Sequence, residues 1–216
     1  MMRTTLVFTL IALFPLLSPS VFAADDQSKM KEDSVQVKSW NHFSSLVMDL
    51  HKKQVKDKKI KKTEKVGGYS NDPEYYREVT YVDQKTGNVL SRVQWEATNP
   101  DVMHNIEVYV HDGKGRVIRD YAAAYLPYQR NAPVQTLVNL HAYNGGLHAF
   151  RQFDGSKDLI YEYCEGNYKG KTQLIRLFED DLVSNDYEMR QLFKSPAYKA
   201  CFKGVPKQLG KYIRPQ

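Results

Sequence analysis

Hydrophobic and polar positions along this chain pass through three regimes. The first is a block: Leu6 to Leu17 form an apolar run of 12 residues behind a single charge, Arg3. The second has a helical period, with Val37, Trp40, Phe43, Val47 and Leu50 recurring at intervals of three and four. That spacing places them on one face of a helix. The third alternates. Val89, Ser91, Val93, Trp95 and Ala97 interleave with Leu90, Arg92, Gln94 and Glu96. Ile106, Val108 and Val110 interleave with Asn105, Glu107, Tyr109 and His111. A period of two marks strands with one buried and one wetter face, the habit of antiparallel sheets.

The opening block predicts a secretory signal peptide over residues 1–23. Its apolar core is too short to span a bilayer, and Pro15 and Pro19 suit the segment ahead of a cleavage site. Val21-Phe22-Ala23 puts the cut after Ala23, followed by a polar, flexible mature terminus over 24–33. The expected destination is the periplasm of a Gram-negative cell or, otherwise, the exterior. No later stretch approaches 18 consecutive apolar residues, so an integral membrane protein is not expected.

The helical pattern predicts an amphipathic helix from Ser34, with Asp33 and Gln36 as a capping-box-like start. It is expected to reach Lys52 and to continue through the lysine-rich stretch to residue 65. A glycine-containing linker at 66–73 follows Val66-Gly67-Gly68. Residues 74–216 are then expected to form an antiparallel sheet with a helical tail. The strand candidates are 74–83, 89–97, 105–111, 116–126, 147–153, 159–165 and 172–179.

Three connections share an aspartate, a glycine-containing turn and a following apolar pair, beginning at Asp83, Asp112 and Asp154. Aspartate bonds to its own turn backbone and glycine accepts positive φ, so hairpins are predicted. Between the second and third, Pro133 with Val134, Leu137, Val138 and His141 suggests a short helix ended by Asn144-Gly145-Gly146. In the tail, Ser184 or Asn185 would cap a helix holding Tyr187, Met189, Leu192 and Phe193, and a last helix after Pro196 carries Tyr198 and Cys201.

The resulting fold class is α+β: an N-terminal amphipathic helix, a curved antiparallel meander built from hairpins, and a small helical C-terminus. This layout resembles that of cystatin-like folds. The likeness is one of layout without a shared motif, and it carries no function.

Charge changes the picture once it is located. The whole chain carries a net +6, and residues 51–65 alone hold eight lysines against Asp57 and Glu64. The excess therefore sits in one stretch beside a near-neutral body. Nucleic-acid domains spread their cations over a binding face, so no nucleic-acid partner is expected. Lys52, Lys53, Lys58, Lys59, Lys61 and Lys62 are instead a candidate handle for a polyanion or an anionic envelope surface. The two cysteines, Cys164 and Cys201, occur outside any C-x-x-C spacing, and in an oxidising compartment such a pair is expected to form a disulfide.

No catalytic signature survives. There is no G-x-S-x-G, and none of the six histidines forms H-x-x-x-H or H-E-x-x-H. No metal and no cofactor are expected. His104 and His111 stand seven apart, which sends them to opposite faces of a regular strand. His141 and His148 bracket the Asn-Gly-Gly turn and can approach each other. The richest stretch runs from Tyr121 to Arg151 and gathers Tyr121, Tyr125, Tyr128, Arg130, His141, Tyr143, His148 and Arg151. Tyrosine and arginine combine broad faces with directional donors, which suits a protein, peptide or carbohydrate partner. The expected function is that of an exported, non-enzymatic binding or assembly module. Its alternatives are an enzyme using His141, His148 or Arg151 in a cleft, and an envelope protein held by its lysines.

Overall fold

The computed structural model describes residues 34–127 and 131–215. The expected signal peptide and the polar stretch to residue 33 lie outside these, as do Tyr128 and Arg130. Helix α1 spans Val35–Val55, strands follow as β1 (Ile60–Tyr69), β2 (Asp72–Asp83), β3 (Val89–Glu96), β4 (Met103–His111) and β5 (Val117–Ala124). The sheet continues with β6 (Gln135–Asn144), β7 (Gly146–Asp154), β8 (Leu159–Tyr168) and β9 (Lys171–Phe178). The tail holds α2 (Glu179–Val183), α3 (Tyr187–Lys194), α4 (Pro196–Cys201) and a short 3-10 turn at Gly210–Ile213. All nine strands form one open antiparallel sheet in sequence order. The α+β class and the antiparallel sheet thus stand.

The side chain of Ser34 caps α1 by accepting from the Val37 amide at 3.1 Å, which supplies one of the free donors of the first turn. The helix buries Val37, Phe43, Ser44, Val47, Leu50 and His51. It lies across β3 to β6. There it closes a core with Val93, Ile106, Val108, Tyr121, Val138 and Phe153. A second core, with Leu147, Ala149, Ile175, Leu177, Tyr198 and Phe202, lies under α4. The Cys164 and Cys201 sulfurs sit at disulfide distance, 2.09 Å, and tie β8 to α4. Both cores are on the same side of the sheet. That side is the covered face.

The three aspartate turns form as the side-chain chemistry dictates. Asp83 accepts from the Lys85 amide, Asp112 from those of Lys114 and Arg116, and Asp154 from those of Ser156 and Asp158, all through Oδ1.

Three expectations are corrected. Helix α1 stops at Val55 and does not run to residue 65; the chain turns at 56–59, with Asp57 at φ 60°, and returns as β1. The expected linker at 66–73 is the β1–β2 hairpin. The helix expected around Pro133 is instead the central strand β6, whose Thr136, Val138 and Leu140 point into the core between β5 and β7. Asn144-Gly145-Gly146 is the tight β6–β7 turn, with Gly145 at φ 65°.

Candidate functional site: the open face of the sheet

Strand parity sorts the residues expected at the site. In β5 to β8 the register places Tyr121, Val138 and Phe153 in one row, and Leu140, Arg151 and Glu162 in another, on the covered face. Tyr121 is 1 % exposed and is core. Arg151 is also buried: its Nε donates to Glu162 Oε1 at 2.6 Å and its Nη1 to the Val205 carbonyl. Tyr198 donates to the other Glu162 oxygen at 2.6 Å. This network fastens the tail to the sheet, and its Glu162 and Tyr198 line a groove of about 380 Å³ together with Leu182 and Phe193. Tyr125 donates to Ser44 Oγ at 3.1 Å and so clamps α1.

His141, Tyr143 and His148 project from the opposite face, which no described helix covers. Cross-strand register sets Tyr143 beside His148, His141 beside Phe150 and Tyr163, and Gln152 beside Tyr161 and Phe178. Their rings form a row. Tyr143 stacks on His148 at 4.8 Å and 10°, and the His148 and His141 rings lie nearly parallel, 7° apart with centroids at 5.3 Å. His141 meets Phe150 at 5.3 Å, Phe150 meets Tyr163 at 5.3 Å, and Tyr161 meets Phe178 at 5.0 Å. The Arg116 guanidinium, held by Asp112, lies over the Tyr143 ring at 4.5 Å.

A polar chain runs through this row. His141 Nε2 lies 2.6 Å from Asp120 Oδ2, and His141 Nδ1 lies 3.0 Å from His148 Nε2. An ionised carboxylate only accepts, so Nε2 of His141 carries the proton; its Nδ1 then accepts from His148 Nε2–H. Asp120 is fixed in turn by Asn139, which donates at 2.6 Å and accepts from Gln152 at 3.0 Å. Burial pushes the His148 imidazole below its ordinary pKa and His141 adds to the push, while Glu165 opposes it. The chain therefore ends in a neutral imidazole whose Nδ1 lone pair has no hydrogen-bond partner among the described residues. It can accept a hydrogen bond from a ligand.

Arg151 and the two histidines lie on opposite faces of the sheet, so the three do not share one site. Among the described residues no three His, Cys, Asp or Glu side chains are grouped to hold a metal ion. A second histidine, His104, is 3 % exposed and packed among Tyr69, Tyr75 and Tyr76, with Tyr69 Oη at 2.5 Å from its Nε2. That cluster is filled by its own side chains.

The lysine stretch is folded back on itself. Lys52 and Lys53 end α1, Lys58 and Lys59 lie in the turn, and Lys61 and Lys62 are in β1. Lys58 approaches Asp83 at 3.8 Å, Lys65 pairs with Glu78 at 3.1 Å and Lys62 lies over the Tyr81 ring.

Sequence reasoning missed Asp120, Phe150, Tyr161, Tyr163 and Phe178. The alternation of β7, with His148, Phe150 and Gln152 opposite Leu147, Ala149 and Phe153, is the signal that could have found Phe150. No protein-family model matches the chain, and comparison with curated proteins and with solved structures shows no similar protein.

Proposed function

We propose that this chain is an exported, non-enzymatic binding module that presents the open face of its sheet to a protein or peptide partner. The observation that carries the reading is the uncovered row from Tyr143 through His148, His141 and Phe150 to Tyr163. The other face already supplies the core, so this concentration of aromatic area is not needed to close the domain. A sugar-binding platform leaves ring faces free for stacking; here Tyr143 lies between the His148 ring and the Arg116 guanidinium, and His148 and His141 are tied to each other through their ring nitrogens. The row mixes aromatic area with hydrogen-bonding groups such as Asp120, His148 and Tyr163, which suits the irregular, hydrogen-bonding surface of a polypeptide. Export is supported by the apolar block at 6–17 and by the Cys164–Cys201 pair at disulfide distance, a pairing that oxidising compartments favour.

The test is photo-crosslinking in the native envelope, with a benzophenone amino acid at position 150 or 163 and, as a control, at Lys207 beside the covered-face groove. A discrete adduct from 150 and 163 alone is expected, its partner identified as a polypeptide by mass spectrometry. Adducts only from position 207, or none from the open face, would overturn the reading.

A second reading concerns the lysines. The turn at 56–59 gathers them at one corner, where Lys52 and Lys62 both act on His51. Lys52, Lys53, Lys59 and Lys61 have no ion pair among the described residues, which leaves them free to meet an anionic envelope surface.

A further inference from the structure

An open sheet has two edges, and here they are built differently. β1 carries Lys61, Lys62 and Lys65, and its register with β2 is broken between Gly67 and Tyr69. Lysines and a bulge are what proteins place on an edge strand to keep other strands off it. β9 is guarded less: it has no bulge, and its one lysine, Lys171, is its first residue. Its register with β8 is unbroken from Tyr161↔Phe178 to Tyr168↔Lys171, and it contains no proline. It buries Ile175 and Leu177 on the covered face yet leaves Leu174 58 % and Phe178 62 % exposed on the other. Its free side offers unpaired backbone groups along a strand with Leu174 and Phe178 on one face and Ile175 and Leu177 on the other.

The charges flanking β9 say what fits there. Lys169 and Lys171 stand at its start, Glu179 and Asp180 just past its end. All four are exposed, and none is in an ion pair among the described residues. We propose that β9 is a self-association edge, on which a second copy of this chain pairs its own β9 in antiparallel orientation. Centred on Ile175, so that residues of the same face stand opposite each other, that pairing sets each copy's Lys171 opposite the other's Glu179 and brings Lys169 next to its Asp180, twice over by two-fold symmetry. It also covers Leu174 of both copies and keeps Arg176 away from its equivalent. A head-to-tail contact between β9 and β1 would set Arg176 and Lys171 against the β1 lysines. A parallel pairing would set like charges side by side. Only the two-fold antiparallel arrangement is complementary. The contact is independent of the partner proposed for the open face, and it would join two such faces into one continuous surface.

Sedimentation velocity of the purified protein across a concentration series tests this, with charge reversal and charge swap as the decisive arms. The wild type is expected to dimerise. Lys169→Glu/Lys171→Glu is expected to weaken the dimer at least tenfold, as is Glu179→Lys/Asp180→Lys, with unchanged melting temperatures. The four substitutions together should restore association to within a few-fold of the wild type. A wild type monomeric at every concentration overturns the proposal. So does a dimer indifferent to the reversals, or a swap that fails to recover.

Discussion

Asp120 Oδ2 lies 2.6 Å from His141 Nε2 across the β5–β6 boundary, and this contact decides which nitrogen of His141 faces His148. Asp120→Ala removes the acceptor of both His141 and Asn139. The expected cost is about 1–3 kcal/mol, since two partly buried donors lose a charged partner. Asp120→Asn is the finer probe. In the wild type, nitrogen NMR should report the Nε2–H tautomer of His141. In the variant that preference should relax, with the fold retained. An unaltered tautomer would show that Asp120 does not orient the ring.

His51 gives the protein an acid limit. It is buried against Ser91, with Nδ1 2.7 Å from Oγ, and burial together with Lys52 and Lys62 lowers its pKa from 6.5 to about 4. Below pH 6.5 the unfolded chain takes up a proton that the folded chain refuses. Stability held above pH 6.5 is therefore lost as pH falls to about 4, by an amount on the order of 3 kcal/mol. Burial displaces His104 and His148 in the same direction. Urea titrations between pH 7 and pH 4 should show this decline, and His51→Phe should flatten part of it. A decline of equal steepness in that variant would assign the limit to other groups.

Arg151 and Glu162 form a buried pair, 3 % and 1 % exposed, that also holds Tyr198 and the Val205 carbonyl. Arg151→Ala leaves a buried carboxylate without its cation, and such losses cost about 3–5 kcal/mol. Arg151→Met with Glu162→Leu removes both charges and should recover much of that loss. Thermal melts of the single and double variants check the expectation. A single variant within 1 °C of the wild type would contradict it.

The sequence made the alternating strands legible, along with the helix face and the three aspartate turns, because each is a local pattern with a local cause. β1 was invisible for a physical reason: an edge strand is exposed on both faces, so Ile60–Tyr69 need not alternate, and its pairing to β2 decides its conformation. β6 was ambiguous. Val134, Leu137, Val138 and His141 satisfy a helical period, while Thr136, Val138, Leu140 and Ala142 satisfy a strand, and only the position between β5 and β7 selects the second. At the candidate site, His141 and His148 could be read as neighbours because a tight turn joins them. Asp120, Tyr161 and Tyr163 could not, since their approach depends on strand order. Tyr121 and Arg151 belong to the inward parity of their strands, next to outward Asp120 and Phe150; a one-residue step is a change of face.

The lysine corner separates two roles that a run of like residues hides. Lys58 faces Asp83 and Lys62 lies 5.2 Å over the Tyr81 ring, so both contribute to packing around β1 and β2. Lys52, Lys53, Lys59 and Lys61 have no such partner among the described residues. Near an anionic surface each basic residue contributes on the order of 1 kcal/mol, so these four suffice for retention at low salt. The attraction should fade as ionic strength rises and the Debye length falls to about 8 Å. Replacing the four by Gln should abolish salt-sensitive retention on phosphatidylglycerol vesicles and leave the melting temperature unchanged. Replacing Lys58 and Lys62 by Gln should do the reverse in part: binding persists, while stability drops by less than about 1 kcal/mol, the worth of exposed pairs and cation–ring contacts. Vesicle flotation at two salt concentrations, run beside thermal melts, reads both effects. Wild-type protein that does not float at low salt would remove the polyanion role and leave the lysines as guards of the β1 edge.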